Sequence, residues 1–284
     1  MRSLKSRHRR DKLMVAAMVV AVAVAIVPLG FILADVIAKG IGQLSVGFLT
    51  KPEPYVVTAP GGGFGAGVRG TIKMVGLGTV IAVPIGVLAA IYLSEYQVKG
   101  PLATSVRFFA DVMTGIPSIF IGIFVFTVVV LETHSFSTWA GGVALGILEM
   151  PVIVRTSEEA LRLVPDTLRE ASLALGIRRW RTIVSTVLPT ALAGITTGIL
   201  LAVARAAGET APLLLTAFGN QLLVGWGHWN GPEAALTLEI FFDSRSPFPA
   251  QQARAWTGAL VLIGGVLILS LAARAVISRR SRTL

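Results

Sequence analysis

The chain has 284 residues, 54% of them hydrophobic and 14% charged, a formal net charge of +10 and no cysteine. A soluble domain carries roughly a quarter charged residues, so some of this apolar surface must face lipid. Lack of cysteine excludes disulfide frameworks and thiolate chemistry, and His8, His134 and His228 are too far apart for metal-ligand spacing. The basic residues sit at the termini and in short segments between apolar runs, which is topology signalling rather than a nucleic-acid patch.

A bilayer core of about 30 Å needs roughly 20 helical residues. Runs 13–34, 74–94, 112–131, 135–154 (interrupted by Glu149), 182–204 and 255–273 qualify. The expected fold class is therefore all-α, a polytopic membrane protein with about six transmembrane helices. The first run follows Arg2, Lys5, Arg7, Arg9, Arg10 and Lys12. It is longer than the roughly 7–15 residues of a signal h-region and lacks a clear cleavage site, so a retained helix is expected. The basic start places the N-terminus inside. Six crossings return Arg274, Arg279, Arg280 and Arg282 to the same side, as they do the six arginines of 155–181. Both termini are expected to be cytoplasmic in a bacterial plasma (inner) membrane.

Several segments need separate reading. Residues 51–67 are rich in Pro and Gly and read as an irregular external loop. GAGVRG (Gly65, Gly67, Gly70) matches a dinucleotide fingerprint by letter, but no strand precedes it, and no P-loop ending follows. Residues 211–227 are uncharged, but a seventh crossing would put the arginine-rich tail outside. They read as the end of the fifth helix followed by a re-entrant or external segment. Pro84, Pro117 and Pro151 fall within spans, where kinks are expected. Trp226, Trp229 and Trp256 read as interfacial anchors.

Residues 165–176, PDTLREASLALG, carry Pro and Gly where a short helix starts and stops. Asp166 suits the positive end of its dipole. Leu168, Ala171 and Leu175 fall on one face, and Arg169 and Glu170 on the polar side. Such a helix either docks into a partner's groove or lies on lipid headgroups. Glu170-Ala171-Ser172, then Gly176, then Leu188-Pro189 resembles the EAA loop of ABC-importer permeases, with Ser172 in place of the usual second alanine. In that family the loop is a coupling helix seated in the ATPase subunit. The resemblance implies ATPase contact by Glu170, Ala171 and Gly176, with the loop at about 155–189.

Within the fifth run, Arg205 lies roughly 22 Å from the cytoplasmic edge if the span begins after Pro189, at 1.5 Å per residue. Glu209 follows four residues on, on the same helical face. A charge at that depth usually faces a bundle interior or wet cavity. The two residues either neutralise one another, or Arg205 offers its guanidinium to an oxyanion while Glu209 limits binding strength. Arg155, at the inner end of the fourth run, is a topology anchor by position. Glu149 is buried by position and open to pairing with an arginine of this or a partner chain.

ARAAGETAPLLLTA, spanning Arg205, Glu209 and Thr210, resembles the phosphate-specific transport permeases of the PstA type. So do Tyr92-Leu-Ser-Glu95-Tyr96, Arg107-Phe-Phe-Ala-Asp111, Gly115-Ile-Pro117-Ser118 and Pro151-Val-Ile-Val-Arg155-Thr-Ser-Glu158-Glu159. The resemblance covers roughly residues 65–215 and implies a type I ABC-importer permease fold. Residues 1–68 would form the tail, first helix and external loop, and 69–284 the transmembrane domain. It implies a non-catalytic subunit whose substrate pathway includes Arg205, Glu209, Thr210 and Arg155. Implied partners are a homologous second permease (PstC type), two ATP-binding ATPase subunits (PstB type) and an external phosphate-binding protein (PstS type). No cofactor is expected in this chain, ATP and Mg belonging to the ATPase. Molybdate, sulfate or another oxyanion is the alternative cargo. A channel or intramembrane enzyme lacks support: there are no paired intramembrane aspartates, no His-Glu-x-x-His and no Gly-x-Ser-x-Gly.

Overall fold

A computed structural model of the chain describes residues 4–56, 59–96 and 100–280, with the side chains of 4–9 and 276–280 outside the description. The topology signals at Arg2, Lys5, Arg7, Arg9, Arg279, Arg280 and Arg282 therefore lie outside the described side chains. The described chain is helical: α1 (Leu4–Gly40), α2 (Val46–Thr50), α3 (Gly65–Tyr96), α4 (Pro101–Gly115), α5 (Ser118–Thr133) and α6 (Thr138–Arg162). It continues with α7 (Asp166–Ala174), α8 (Arg179–Ala207), α9 (Ala211–Thr216), α10 (Leu236–Ser244) and α11 (Pro249–Arg280). Five helices (α1, α3, α6, α8 and α11) are long and apolar enough to cross a bilayer, and the bent pair α4–α5 makes up to six.

The central contact is between α3 and α6, which run side by side. A Cβ on Gly78 would stand 2.8 Å from the Gly146 amide nitrogen, so the two backbones touch where neither helix has a side chain. Met74, Val75, Leu145 and Leu148 pack around that crossing with Val203 and Ala206 of α8 and Leu213 of α9. On α8, Ala191 and Ile195 close against Ala160 and Leu161 of α6. In contrast, α1 buries almost none of its apolar length and is held near its C-terminal end. There Thr257 donates to the Gly40 carbonyl at 2.8 Å and Lys39 sits over the Trp256 ring.

Two expected spans differ. The third does not begin at Val112 as a single helix. Ile116 is extended (φ −72°, ψ 132°), and α4 and α5 meet at 105°. Pro117 explains the break, since its ring pushes the preceding residue out of the α region. Pro84 and Pro151, by comparison, stay inside continuous helices. The fifth span ends at Ala207 rather than continuing past Glu209. Pro212 lacks an N–H, and its ring would meet the Gly208 carbonyl of a continued helix. The chain unwinds over 208–210 and restarts as α9, whose six residues are far too short for a seventh crossing. Residues 217–235 then run irregularly along the end of the bundle opposite α7.

The Gly-rich run proves to be the first turns of α3. Its Gly67 amide donates to Glu239 Oε1 at 3.2 Å, so a carboxylate of the same chain already occupies the anion-favouring end of the helix.

Candidate functional site

On α8, Ile195, Gly198, Ala202 and Ala206 are buried. Ala193, Thr197, Leu201 and Arg205, at successive i, i+4 positions, are all exposed. Arg205 therefore stands on a stripe that nothing in a single chain covers. Its Nε lies 3.7 Å from Glu209 Oε1, with the side chains 43% and 17% exposed. That distance is a charge pair and not a full hydrogen bond. Among the described residues the Arg205 guanidinium has no other acceptor. Glu209 reaches back from unwound chain, not along a helical face, and Thr237 fixes that chain by donating to the Glu209 carbonyl at 2.8 Å. Thr210 sits half-buried at the start of α9.

Gly194 packs on Ala160 and Gly198 on Thr156. Continuing this antiparallel register places Arg205 level with Glu149. The pairing of Glu149 with an arginine of this chain is not formed: it accepts from Thr79 of α3 at 2.9 Å, and its other oxygen has no partner. Arg155 lies about 9 Å from that level, toward α7. The structure does not bring Arg155 and Arg205 into contact. Arg155 binds Asp111 of α4 at 2.6 Å and stands 3.8 Å from Glu158. The buried Glu158 carboxylate also takes Arg107 at 2.7 Å and Arg162 at 2.6 Å, so three guanidiniums surround one acid. Arg155 is thus part of an ion network between α4 and α6, well inside α6 and not at its end.

The short helix forms where its start and stop residues place it. Pro165 precedes Asp166, and Gly176 follows the end with φ +75°. Gly176 N donates to the Leu173 carbonyl at 2.9 Å and Ile177 N to the Ser172 carbonyl at 3.3 Å. This double closure needs a left-handed residue, which glycine supplies without strain. Leu168, Glu170, Ala171, Leu173 and Leu175 are exposed, as are Leu163 and Trp180 on either side. The single chain leaves these apolar groups on and beside the short helix uncovered. Arg169 is the exception. It turns inward onto Glu95 at the end of α3, with Nη2–Oε1 2.8 Å, a partnership its position on the polar side does not reveal.

Two further charge clusters went unseen in the sequence. Lys73 of α3 and Glu233 of the irregular segment form a contact pair, each side chain 1% exposed. The only signal in the sequence was a lysine directly before an apolar run. Glu53, Glu239 and Asp243 gather around Arg254, which binds Asp243 at 3.1 Å. Burial, then the Asp243 charge, pushes the Glu53 carboxyl up to about 7, against the pull of Arg254.

Residues 82–282 match the family model described as "Binding-protein-dependent transport system inner membrane component". The phosphate transport system permease protein PstA of Yersinia pestis is 43% identical over 251 residues, 88% of this chain and 84% of that one. The Haemophilus influenzae protein of the same name is 42% identical over 94% of both chains. PstA 1 of Mycobacterium tuberculosis is 41% identical over 91% of this chain and 85% of its own length. Among solved structures, the inward-facing MetNI methionine ABC transporter aligns with a TM-score of 0.60 at 20% identity, covering 76% of this chain and 96% of that one. That similarity establishes the fold of an ABC-importer permease. The chain belongs to the binding-protein-dependent transport-system inner-membrane components, in the PstA branch of that family.

Proposed function

We propose that this chain forms half of the membrane conduit of a phosphate importer, with Arg205 as a transient anion site and α7 as the helix that docks an ATPase. Arg205 carries the reading: it is a guanidinium in the last turn of α8, level with the middle of α6, loosely paired, on a face left open for a second subunit. An arginine fork matches the oxygens of a phosphate and cannot lose its charge. Glu209, 3.7 Å away, competes for that fork, and a conduit needs binding weak enough to release its cargo. Thr210 supplies a hydroxyl beside them, and Arg155 a second cation nearer the α7 end.

The α7 face, with Glu170, Ala171 and the turn at Gly176, projects from the bundle and is uncovered. Seated in an ATPase subunit of the PstB type, it would convert nucleotide-driven closure into movement of the bundle. ATP and Mg would be bound there, since this chain carries no nucleotide motif. A PstC-type permease covers the Arg205 stripe, and a PstS-type binding protein delivers phosphate to the end opposite α7. The arginines of 155–181 support a cytoplasmic α7 end, with both termini on the same side.

The test is phosphate uptake by the complete transporter in proteoliposomes. Arg205→Ala removes a charged hydrogen-bond donor worth about 1.5–3 kcal/mol, so uptake falls by about tenfold or more with assembly intact. Uptake at the normal rate would refute the anion-site role. Competition by molybdate or sulfate at phosphate-like concentrations would reassign the cargo.

A further inference from the structure

The end of α3 nearest α7 gathers guanidinium groups from separate parts of the chain. A helix C-terminus leaves carbonyls unpaired and carries the negative end of the macrodipole, so it attracts cations. Arg107 of α4 donates to the Leu93 carbonyl at 3.1 Å. Arg179, in the first turn of α8, donates to the Glu95 carbonyl and lies over the Tyr96 ring, 5.3 Å from its centroid. Arg169 of α7 grips the Glu95 carboxylate with two nitrogens, Nη2–Oε1 at 2.8 Å and Nε–Oε2 at 3.3 Å.

The remaining donors of Arg169 are also taken. Nη2 reaches the Leu161 carbonyl at 2.8 Å, and Nη1 reaches the Val164 carbonyl at 2.5 Å and Asp166 at 3.1 Å. A guanidinium has five N–H donors, and here each has an acceptor. One half-buried side chain therefore joins three bodies: the end of α3, the end of α6 and the short helix α7. Glu95, its main acceptor, is itself buried. Among the described residues, α7 also attaches inward through a hydroxyl pair, Ser172 to Thr182 of α8, at 2.9 Å. Everything else prominent on α7 points outward.

We propose that Arg169 and Glu95 are the strut through which displacement of α7 reaches α3. Arg169 is a positioning residue for transport, touching neither phosphate nor nucleotide. This rests on reading α7 as the ATPase-docking helix. The stiffness argument is geometric. A two-pronged ion pair, with Glu95 buried and Arg169 partly so, resists both sliding and rotation better than a single exposed contact would. From Glu95 the path runs along α3: α3 meets α6 at Gly78 and Gly146, and Thr79 bonds Glu149 at the level of Arg205. Pushing α7 thus moves the helix pair on which the Arg205-bearing helix rests.

The experiment uses the assembled transporter in proteoliposomes and reads phosphate moved per ATP hydrolysed. Arg169→Gln and Glu95→Gln are each expected to retain the ATPase subunits, because Glu170 and Ala171 are untouched. The ratio is expected to fall at least about fivefold, the lower range for one coupling interaction. The double variant should be no worse than either single one. A chain without native cysteine allows a rescue: Glu95→Cys with Arg169→Cys, joined by a bifunctional thiol reagent, should recover the ratio. Unchanged ratios in the single variants, additive losses, or cross-linking without effect would each overturn the strut. If the single variants do not assemble, the cross-linked pair alone decides. Failure of the docking reading looks different: Glu170→Arg and Gly176→Val would then keep the ATPase bound and fully coupled.

Discussion

Lys73→Met offers a sharp test of how the irregular segment 217–235 is held. The Lys73 ammonium contacts the Glu233 carboxylate, donates to the His228 carbonyl at 2.6 Å and faces the Trp229 ring. Glu233 accepts in turn from Thr138 Oγ1 at 3.1 Å. With both side chains 1% exposed, removing the cation strands an uncompensated carboxylate, which typically costs about 3–5 kcal/mol. Removing both charges at once, as Lys73→Met with Glu233→Leu, costs far less, because the desolvation of two ions disappears together. The assay is thermal unfolding in detergent, followed by loss of the monodisperse elution peak. At roughly 2–4 °C per kcal/mol the single variant should melt about 6–20 °C lower. The double variant should recover most of that, giving a coupling energy of about 2–3 kcal/mol. A single variant within about 2 °C of the parent, or a double variant equal to the sum of the singles, would refute the argument.

Two further outcomes follow from the same reasoning. Gly78→Ala places a methyl 2.8 Å from the Gly146 nitrogen and 3.0 Å from the Gly142 carbonyl, so α3 and α6 must separate. Overpacking of this kind costs about 1–3 kcal/mol, and an unchanged melting temperature would contradict the close crossing. Glu53 has its carboxyl raised from 4.5 to about 7 by burial, with Asp243 adding to the shift. The folded protein therefore holds this proton more tightly than the unfolded chain. The stability is fully present below about pH 4.5 and is lost as pH rises toward about 7. Glu239 shifts in the same direction, through burial first and Glu53 second. Glu53→Gln should leave melting at pH 4 nearly unchanged and stabilise the protein at pH 8 by about 1–3 kcal/mol, partial solvent access reducing the full shift. Equal effects at both pH values would count against it.

The limits of the sequence are physical and can be seen residue by residue. Apolar length is a local property, so the expected spans find their helices, and the spacing of Pro165 and Gly176 correctly brackets α7. Start and stop signals act on adjacent backbone, and for that reason they read well. Pro117 and Pro212 were visible too, but whether a proline kinks a helix or ends it depends on what the freed carbonyls meet. Pro84 and Pro151 are absorbed within their helices, while Pro117 turns the chain by 105°. Partnerships across the bundle were not legible. Arg169 and Glu95 are separated by 74 positions and Lys73 and Glu233 by 160. Which charges meet depends on the relative register of packed helices, and that register is set by glycine contacts such as Gly78 on Gly146. Sequence alone determined a membrane bundle, a short helix between its fourth and fifth runs and an arginine at the far end of the fifth. Only the tertiary structure decided that Arg205 faces an open stripe, with Glu209 reaching it from unwound chain, and that Arg169 turns inward. Those outcomes follow from which faces are left uncovered once the helices have packed.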